Sequence, residues 1–122
     1  MDSDNRFFKR FVVAGTIMVS PDVYDQVRTV KGELIDLSFK GGGFYSREQL
    51  RNGERVLFLL VNDEMGIRLR GTAKIVCVSR SQRNSETIFR YGITFSNLDS
   101  EALRDIVLGL EKRAKESPYN PF

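Results

Sequence analysis

The chain has 122 residues, a formal net charge of +3 and a sequence pI of about 9.2. Its 41% hydrophobic and 29% charged residues fit one globular domain with its own core, and they exclude a disordered or fibrous chain. One cysteine and no histidine exclude a disulfide framework and a zinc site.

The first half of the chain predicts extended structure interrupted by turns. Residues 11–19 are β-branched and apolar on both alternating sets, which is typical of a buried strand. Ser20, Pro21 and Asp22 break this pattern, and residues 30–38 resume it. Three glycines at 41–43 are predicted to end the regular structure.

The second half begins with a predicted hairpin, formed by residues 55–61, a turn at 62–66 and an alternating strand at 67–78. The alternation places Cys77 on the apolar face of the last strand, as a small buried side chain. It places Arg68, Arg70 and Lys74 on the opposite face, which we expect to be solvated. A polar connection at 79–86 precedes another strand at 87–95.

After residue 95 the period of the apolar residues changes to three or four. The residues in this pattern are Leu98, Ala102, Leu103, Ile106, Val107, Leu110 and Ala114. They predict one amphipathic helix with Asp99 or Ser100 as its N-cap. We therefore expect a mainly β fold, in which five or six antiparallel strands close into a small barrel and the C-terminal helix covers an open end.

Two arginines four residues apart, Arg6 and Arg10, stand in the stretch RFFKRF ahead of the first strand. In a helix their charges would stack and repel. In an extended chain they would project on one side about 13 Å apart, a span suited to a ligand with two phosphates or two bases. Solvated arginines near a terminus give the same pattern, so the spacing alone leaves both interpretations open.

A second polar pattern lies in the stretch IDLSFKGGGF at residues 35–44. Asp36 and Ser38 are two apart at a strand end, so an extended backbone puts them on one face. An aspartate accepts the N–H donors of guanine, a serine donates or accepts, and glycines at 41–43 let a flat ligand approach the backbone. Turns are made of the same residue types.

Taken together and in this order, RFFKR at 6–10 and DLSFKG at 36–41 resemble the signature of the PilZ domain family, R-x-x-x-R followed by [D/N]-x-S-x-x-G. The stretch YGITF at 91–95, followed by a helix, is similar to the closing strand and terminal helix of that family. The resemblance covers nearly the whole chain. It implies a six-stranded antiparallel β-barrel with a C-terminal α-helix, with the domain at 6–115 between tails at 1–5 and 116–122.

The resemblance also implies a function, that of a bacterial receptor for the second messenger cyclic di-GMP. Arg6 and Arg10 would contact the phosphates and the guanine edges. Asp36 would accept hydrogen bonds from the N–H groups of guanine, Ser38 would hydrogen-bond polar atoms of the ligand, and Gly41 would permit the close turn. Lys9, Lys40 and Gly42 are secondary candidates inside the two motifs. We expect the ligand to order the arm from Arg6 to Arg10 and to alter contact with an unidentified downstream protein, with no cofactor or metal.

Other classes of function fit the sequence less well. A member of the family that binds no ligand, and acts as an adaptor in pilus or motility machinery, is the alternative. Nucleic-acid binding is disfavoured because aromatic residues are not interleaved with basic ones on an exposed strand face. An enzyme is disfavoured because the chain has no histidine, no P-loop and no nucleophile elbow. The lone cysteine and the absence of a leader or membrane span predict a cytoplasmic protein.

Overall fold

The computed structural model describes residues 9–22 and 28–116, without the side chains of 114–116. Within these ranges the chain forms strands β1 (Phe11–Val12), β2 (Thr16–Pro21), β3 (Val30–Leu37), β4 (Gly41–Ser46), β5 (Arg55–Asn62), β6 (Ile67–Arg83) and β7 (Glu86–Leu98), and helix α1 (Ser100–Glu116). Arg6 lies outside the described residues.

Six of the strands close into an antiparallel barrel. They are hydrogen-bonded in the order β3, β2, β5, β6, β7, β4, and β4 pairs back with β3. The short strand β1 adds to the end of β3. Closure removes the exposed edges that an open sheet of this size would present. The expected six-stranded barrel is confirmed, with β1 as an extra strand.

The barrel is filled by the inward side chains of its strands and by one side of the helix. Ile17, Val56, Leu60 and Ile75 are completely buried, and helix residues Leu103, Val107 and Leu110 belong to the same core. The helix begins after Asp99, whose Oδ1 accepts the backbone N–H groups of Glu101 at 3.0 Å and Ala102 at 3.2 Å. Of the two predicted N-caps, the structure selects Asp99.

Residues 11–19, which the sequence predicts as one strand, form two. Gly15 separates them with a φ of +154°, and a β-carbon there would lie 2.8 Å from the carbonyl oxygen of Val61. Only glycine fits such a position without strain. Asn62 donates from Nδ2 to the carbonyl oxygen of Ala14 at 2.8 Å, which holds this segment against the end of β5.

The predicted polar connection at 79–86 is wrong, because β6 and β7 continue through it as a long hairpin. Asn84 and Ser85 form its two-residue turn with φ values of 50° and 69°, as the twist of a tight hairpin requires. Residues 79–86 are exposed, so their polarity reflects a hairpin end that faces water on both sides.

The predicted burial of Cys77 is also wrong. The pairing of β6 with β7 shifts register between Ile75 and Cys77, which interrupts the alternation of side chains. Ile75 is buried, whereas both Val76 and Cys77 are exposed. A bulge of this kind depends on the partner strand, and the alternation in the sequence of β6 does not reveal it.

Candidate ligand-binding site

The pairing of β1 with β3 brings the second arginine of the first motif to the aspartate of the second. Phe11 pairs with Leu37 and Val12 with Asp36, so Arg10 reaches the end of β3. Its Nη1 lies 3.4 Å from Oδ1 and 3.5 Å from Oδ2 of Asp36. The side chain of Arg10 is 59% exposed and that of Asp36 is 10% exposed. A nearly buried carboxylate therefore faces a guanidinium that is largely exposed to water.

Ser38 closes the turn between β3 and β4. Its buried hydroxyl oxygen accepts the backbone N–H groups of Lys40 at 3.2 Å and Gly41 at 3.3 Å. Its own backbone N–H donates to the carbonyl oxygen of Gly41 at 2.8 Å. The serine thus fixes the loop that follows Asp36, while a contact of its hydroxyl with a ligand stays a prediction.

The three glycines at 41–43 begin β4 and do not end the regular structure as predicted. A β-carbon at Gly41 would overlap the carbonyl oxygen of Ile93 on β7, and one at Gly42 would lie 2.8 Å from the carbonyl oxygen of Asp36. Neither glycine adopts a positive φ. Glycine is needed here because the backbones of three strands approach closely, a reason that the sequence pattern of a turn does not contain.

A row of backbone without side chains extends from the aspartate across the barrel wall. Asp36 pairs with Gly43, Gly43 with Gly92, and Gly92 with the exposed Cys77. A β-carbon at Gly43 would come within 3.1 Å of Oδ1 of Asp36, so a larger residue would displace the carboxylate. The predicted approach of a ligand to the glycines at 41–43 included Gly43, whereas nothing in the sequence singled out Gly92.

Two aromatic side chains support this wall from inside the barrel. Phe44 and Tyr91 are buried with their ring centroids 5.1 Å apart. The Tyr91 hydroxyl accepts the backbone N–H of Leu50 at 2.7 Å and donates to the carbonyl oxygen of Glu48 at 2.8 Å. Burial raises the pKa of the Tyr91 phenol, and the hydrogen bond from Leu50 opposes part of that rise.

The two lysines among the secondary candidates are exposed. Lys9 is exposed, and its Nζ lies 5.6 Å from the centroid of the Phe11 ring. Lys40 is exposed at the tip of the β3–β4 turn. A contact of either lysine with a bound anion stays a prediction.

Within the two described ranges, no group of histidine, cysteine, aspartate or glutamate side chains is placed to hold a metal ion. No helix in the same ranges is both long and apolar enough to cross a membrane.

Comparisons with known proteins agree with this architecture. The family model of the PilZ domain matches residues 4–112. The structure is similar to the PilZ domain with c-di-GMP of YcgR from Escherichia coli, with a TM-score of 0.68 at 20% identity over 89% of this chain and 93% of that one. No curated protein matches the sequence.

Two longer proteins contain a similar domain. The inhibitor of motility MotI/DgrA of Bacillus subtilis matches with a TM-score of 0.72 at 9% identity, over 92% of this chain and 52% of that one. The MrkH–c-di-GMP complex of K. pneumonia matches with a TM-score of 0.72 at 15% identity, over 89% and 52%. The chain spans about half the length of these two proteins. With the family model covering most of its length and the expected barrel in place, the chain belongs to the PilZ domain family.

Proposed function

We propose that the chain is a receptor for cyclic di-GMP, and that the ligand binds on the outer wall of the barrel at Arg10 and Asp36. The observation that carries the proposal is the approach of these two side chains, 26 residues apart in sequence, at the C-terminal end of β3. Two of the similar structures, the YcgR domain and MrkH, are described as containing c-di-GMP.

The geometry suits the chemistry of a cyclic dinucleotide. The largely exposed guanidinium of Arg10 can donate charge-assisted hydrogen bonds to a phosphate or to a guanine edge. The Asp36 carboxylate is an acceptor for the paired N–H donors of guanine. The glycines beside Asp36 leave its approach free of side chains, and the turn closed by Ser38 keeps the end of β3 in place.

The remaining roles follow from the motif. Arg6, four residues before Arg10, would supply a second guanidinium, and Lys9, Lys40 and Gly42 would line the edge of the site. Binding would fix residues 6–10 over the ligand and thereby change the surface that a downstream protein contacts in the cytoplasm. The activity is one of binding and signalling, with no reaction catalysed.

Calorimetric titration with cyclic di-GMP tests the proposal, with GTP and cyclic di-AMP as control ligands. We expect heat of binding with cyclic di-GMP alone. Arg10→Ala should weaken binding about tenfold to a hundredfold, since a charge-assisted hydrogen bond contributes about 1.5 to 3 kcal/mol. Arg104→Ala, which removes the same charge from an exposed helix position, should bind like the wild type. No heat at high micromolar ligand would reject the receptor and favour the adaptor.

The ordering of the arm has its own test in the backbone amide signals of residues 6–12. We expect these signals to shift and to gain protection from hydrogen exchange when cyclic di-GMP is added. Binding without any change in them would leave the receptor intact and exclude the ordering of the arm.

A further inference from the structure

The three adjacent strands β2, β5 and β6 form a strongly cationic part of the barrel wall. None of their residues is aspartate or glutamate. Arg55, Arg68, Arg70 and Lys74 are all exposed on this part of the wall. The described ion pairs join Arg10 to Asp36, Arg28 to Glu48 and Arg47 to Glu86, and so involve none of these four cations. Their charge is balanced by nothing on the strands that carry them.

Apolar side chains lie among these cations on the outside of the barrel. Met18 pairs with Leu59, and Leu59 with Arg70, across the three strands. Leu57 is 46% exposed, whereas its neighbour Phe58 is buried inside. Met18, Leu57, Leu59 and Arg70 line an open groove of about 650 Å³. We call this combination of groove and cations the basic–apolar face.

The basic–apolar face and the proposed ligand site lie on different strands. The ligand site lies on β3 and β4, and in the closed strand order β5, at the centre of the face, is two strands away from β3 and three from β4. Strand β2 pairs with β3 at residues 30–33, before Asp36, so a partner centred on β5 would leave the approach to Asp36 open. The face is also connected to the ligand side, because Asn62 at the end of β5 holds the carbonyl oxygen of Ala14, four residues after Arg10.

The chemistry of the face favours one class of partner. The exposed residues of β2, β5 and the part of β6 that pairs with β5 include no aromatic side chain on which a base of single-stranded nucleic acid would stack. A groove accepts an inserted amino-acid side chain, which a protein partner can supply and a lipid bilayer cannot. Arginine is enriched in protein interfaces. Exposed leucine beside arginine therefore fits a protein segment with complementary charge.

We propose that the basic–apolar face is a docking surface for an acidic segment of a partner protein, with a large apolar side chain in the groove and carboxylates at Arg70 and its neighbours. The proposal rests on the proposed receptor function in one respect, namely that this partner is the downstream protein that receives the cyclic di-GMP signal. The contact itself follows from the charge and shape of the face.

Selection of random twelve-residue peptides displayed on phage, against the full chain, tests the proposal. We expect the selected peptides to combine aspartate or glutamate with leucine, isoleucine or phenylalanine. Affinity of the best synthetic peptide is then measured by fluorescence anisotropy. Arg70→Glu should weaken it about thirtyfold or more, as expected for a central interface residue. Arg104→Glu, the same change at an exposed helix position, should leave it within about twofold.

The contrary outcomes are equally specific. The proposal is overturned if no acidic peptide is selected, or if Arg70→Glu binds the peptide as the wild type does. It is overturned too if a single-stranded oligonucleotide, a phosphatidylserine vesicle or a second copy of the chain occupies the face in place of a peptide. Titration of Arg70→Glu with cyclic di-GMP separates the two proposals. A variant that loses peptide binding but still binds cyclic di-GMP has lost the docking surface alone, and the receptor function is unaffected.

Discussion

The turn between β3 and β4 and the arginine that faces it are held very differently. Ser38 is buried and bonded to the backbone on both sides of the turn, and Gly41 is packed against the backbone of β7. Arg10 is mostly exposed and touches Asp36 only at 3.4 Å and 3.5 Å. One side of the site is preorganised by buried contacts and the other is a largely exposed side chain, so changes on the two sides should have separate effects on stability and binding.

The largest effect on stability is expected on the preorganised side, from Gly41→Ala. Its β-carbon would overlap the carbonyl oxygen of Ile93, and the strands would have to separate. The free energy of unfolding, measured by urea denaturation, should fall by about 3 kcal/mol or more. Gly109→Ala is the control, because this exposed helix position is open, and it should raise stability by about 0.5 to 1 kcal/mol. Equal stability of Gly41→Ala and the wild type would show that the strands are not tightly packed.

Tyr91→Phe should cause the second-largest loss of stability. It leaves the N–H of Leu50 and the carbonyl of Glu48 without their partner, at a cost of about 1 to 3 kcal/mol at pH 7. Because the pKa of Tyr91 is raised in the folded state, its neutral form favours folding, and this contribution is lost as the pH rises above the unfolded value of about 10. The stability difference between variant and wild type should therefore shrink above that pH. A difference that grows there would contradict the burial of the phenol.

Ser38→Ala should have a smaller effect of about 1 to 2 kcal/mol, since it removes the acceptor of the N–H groups of Lys40 and Gly41. Chemical denaturation measures it beside Ser81→Ala, an exposed serine of the β6–β7 hairpin, which should stay within about 0.5 kcal/mol of the wild type. If both serines behave alike, the turn is not held by the hydroxyl of Ser38.

The smallest effect on stability is expected from the exposed side. Arg10→Ala should change the free energy of unfolding by less than about 0.5 kcal/mol, although we expect it to weaken ligand binding. A double-mutant cycle with Asp36→Ala should give a coupling below about 1 kcal/mol that falls with added salt, because the Arg10 side chain is 59% exposed and its contacts with the nearly buried Asp36 are 3.4 Å and 3.5 Å long. A coupling of several kcal/mol would place Arg10 on the preorganised side and end the contrast.

Local patterns of residues are enough to predict the fold class, the helix and the two motifs. Alternating apolar residues predict strands, and Asp99 or Ser100 ahead of a three- to four-residue period predicts a helix start. Gly15, the register shift before Cys77 and the length of the β6–β7 hairpin were not predicted, because each is decided by a neighbouring strand.

Chain order and side-chain chemistry alone determine that this protein forms a β-barrel with a terminal helix and carries an arginine motif and an aspartate motif. Only the tertiary structure decides that Arg10 meets Asp36, that Gly43 and Gly92 continue the line from that carboxylate, and that strands β2, β5 and β6 form a cationic groove. The physical reason is that periodicity is a property of one strand, whereas register and close approach are properties of two.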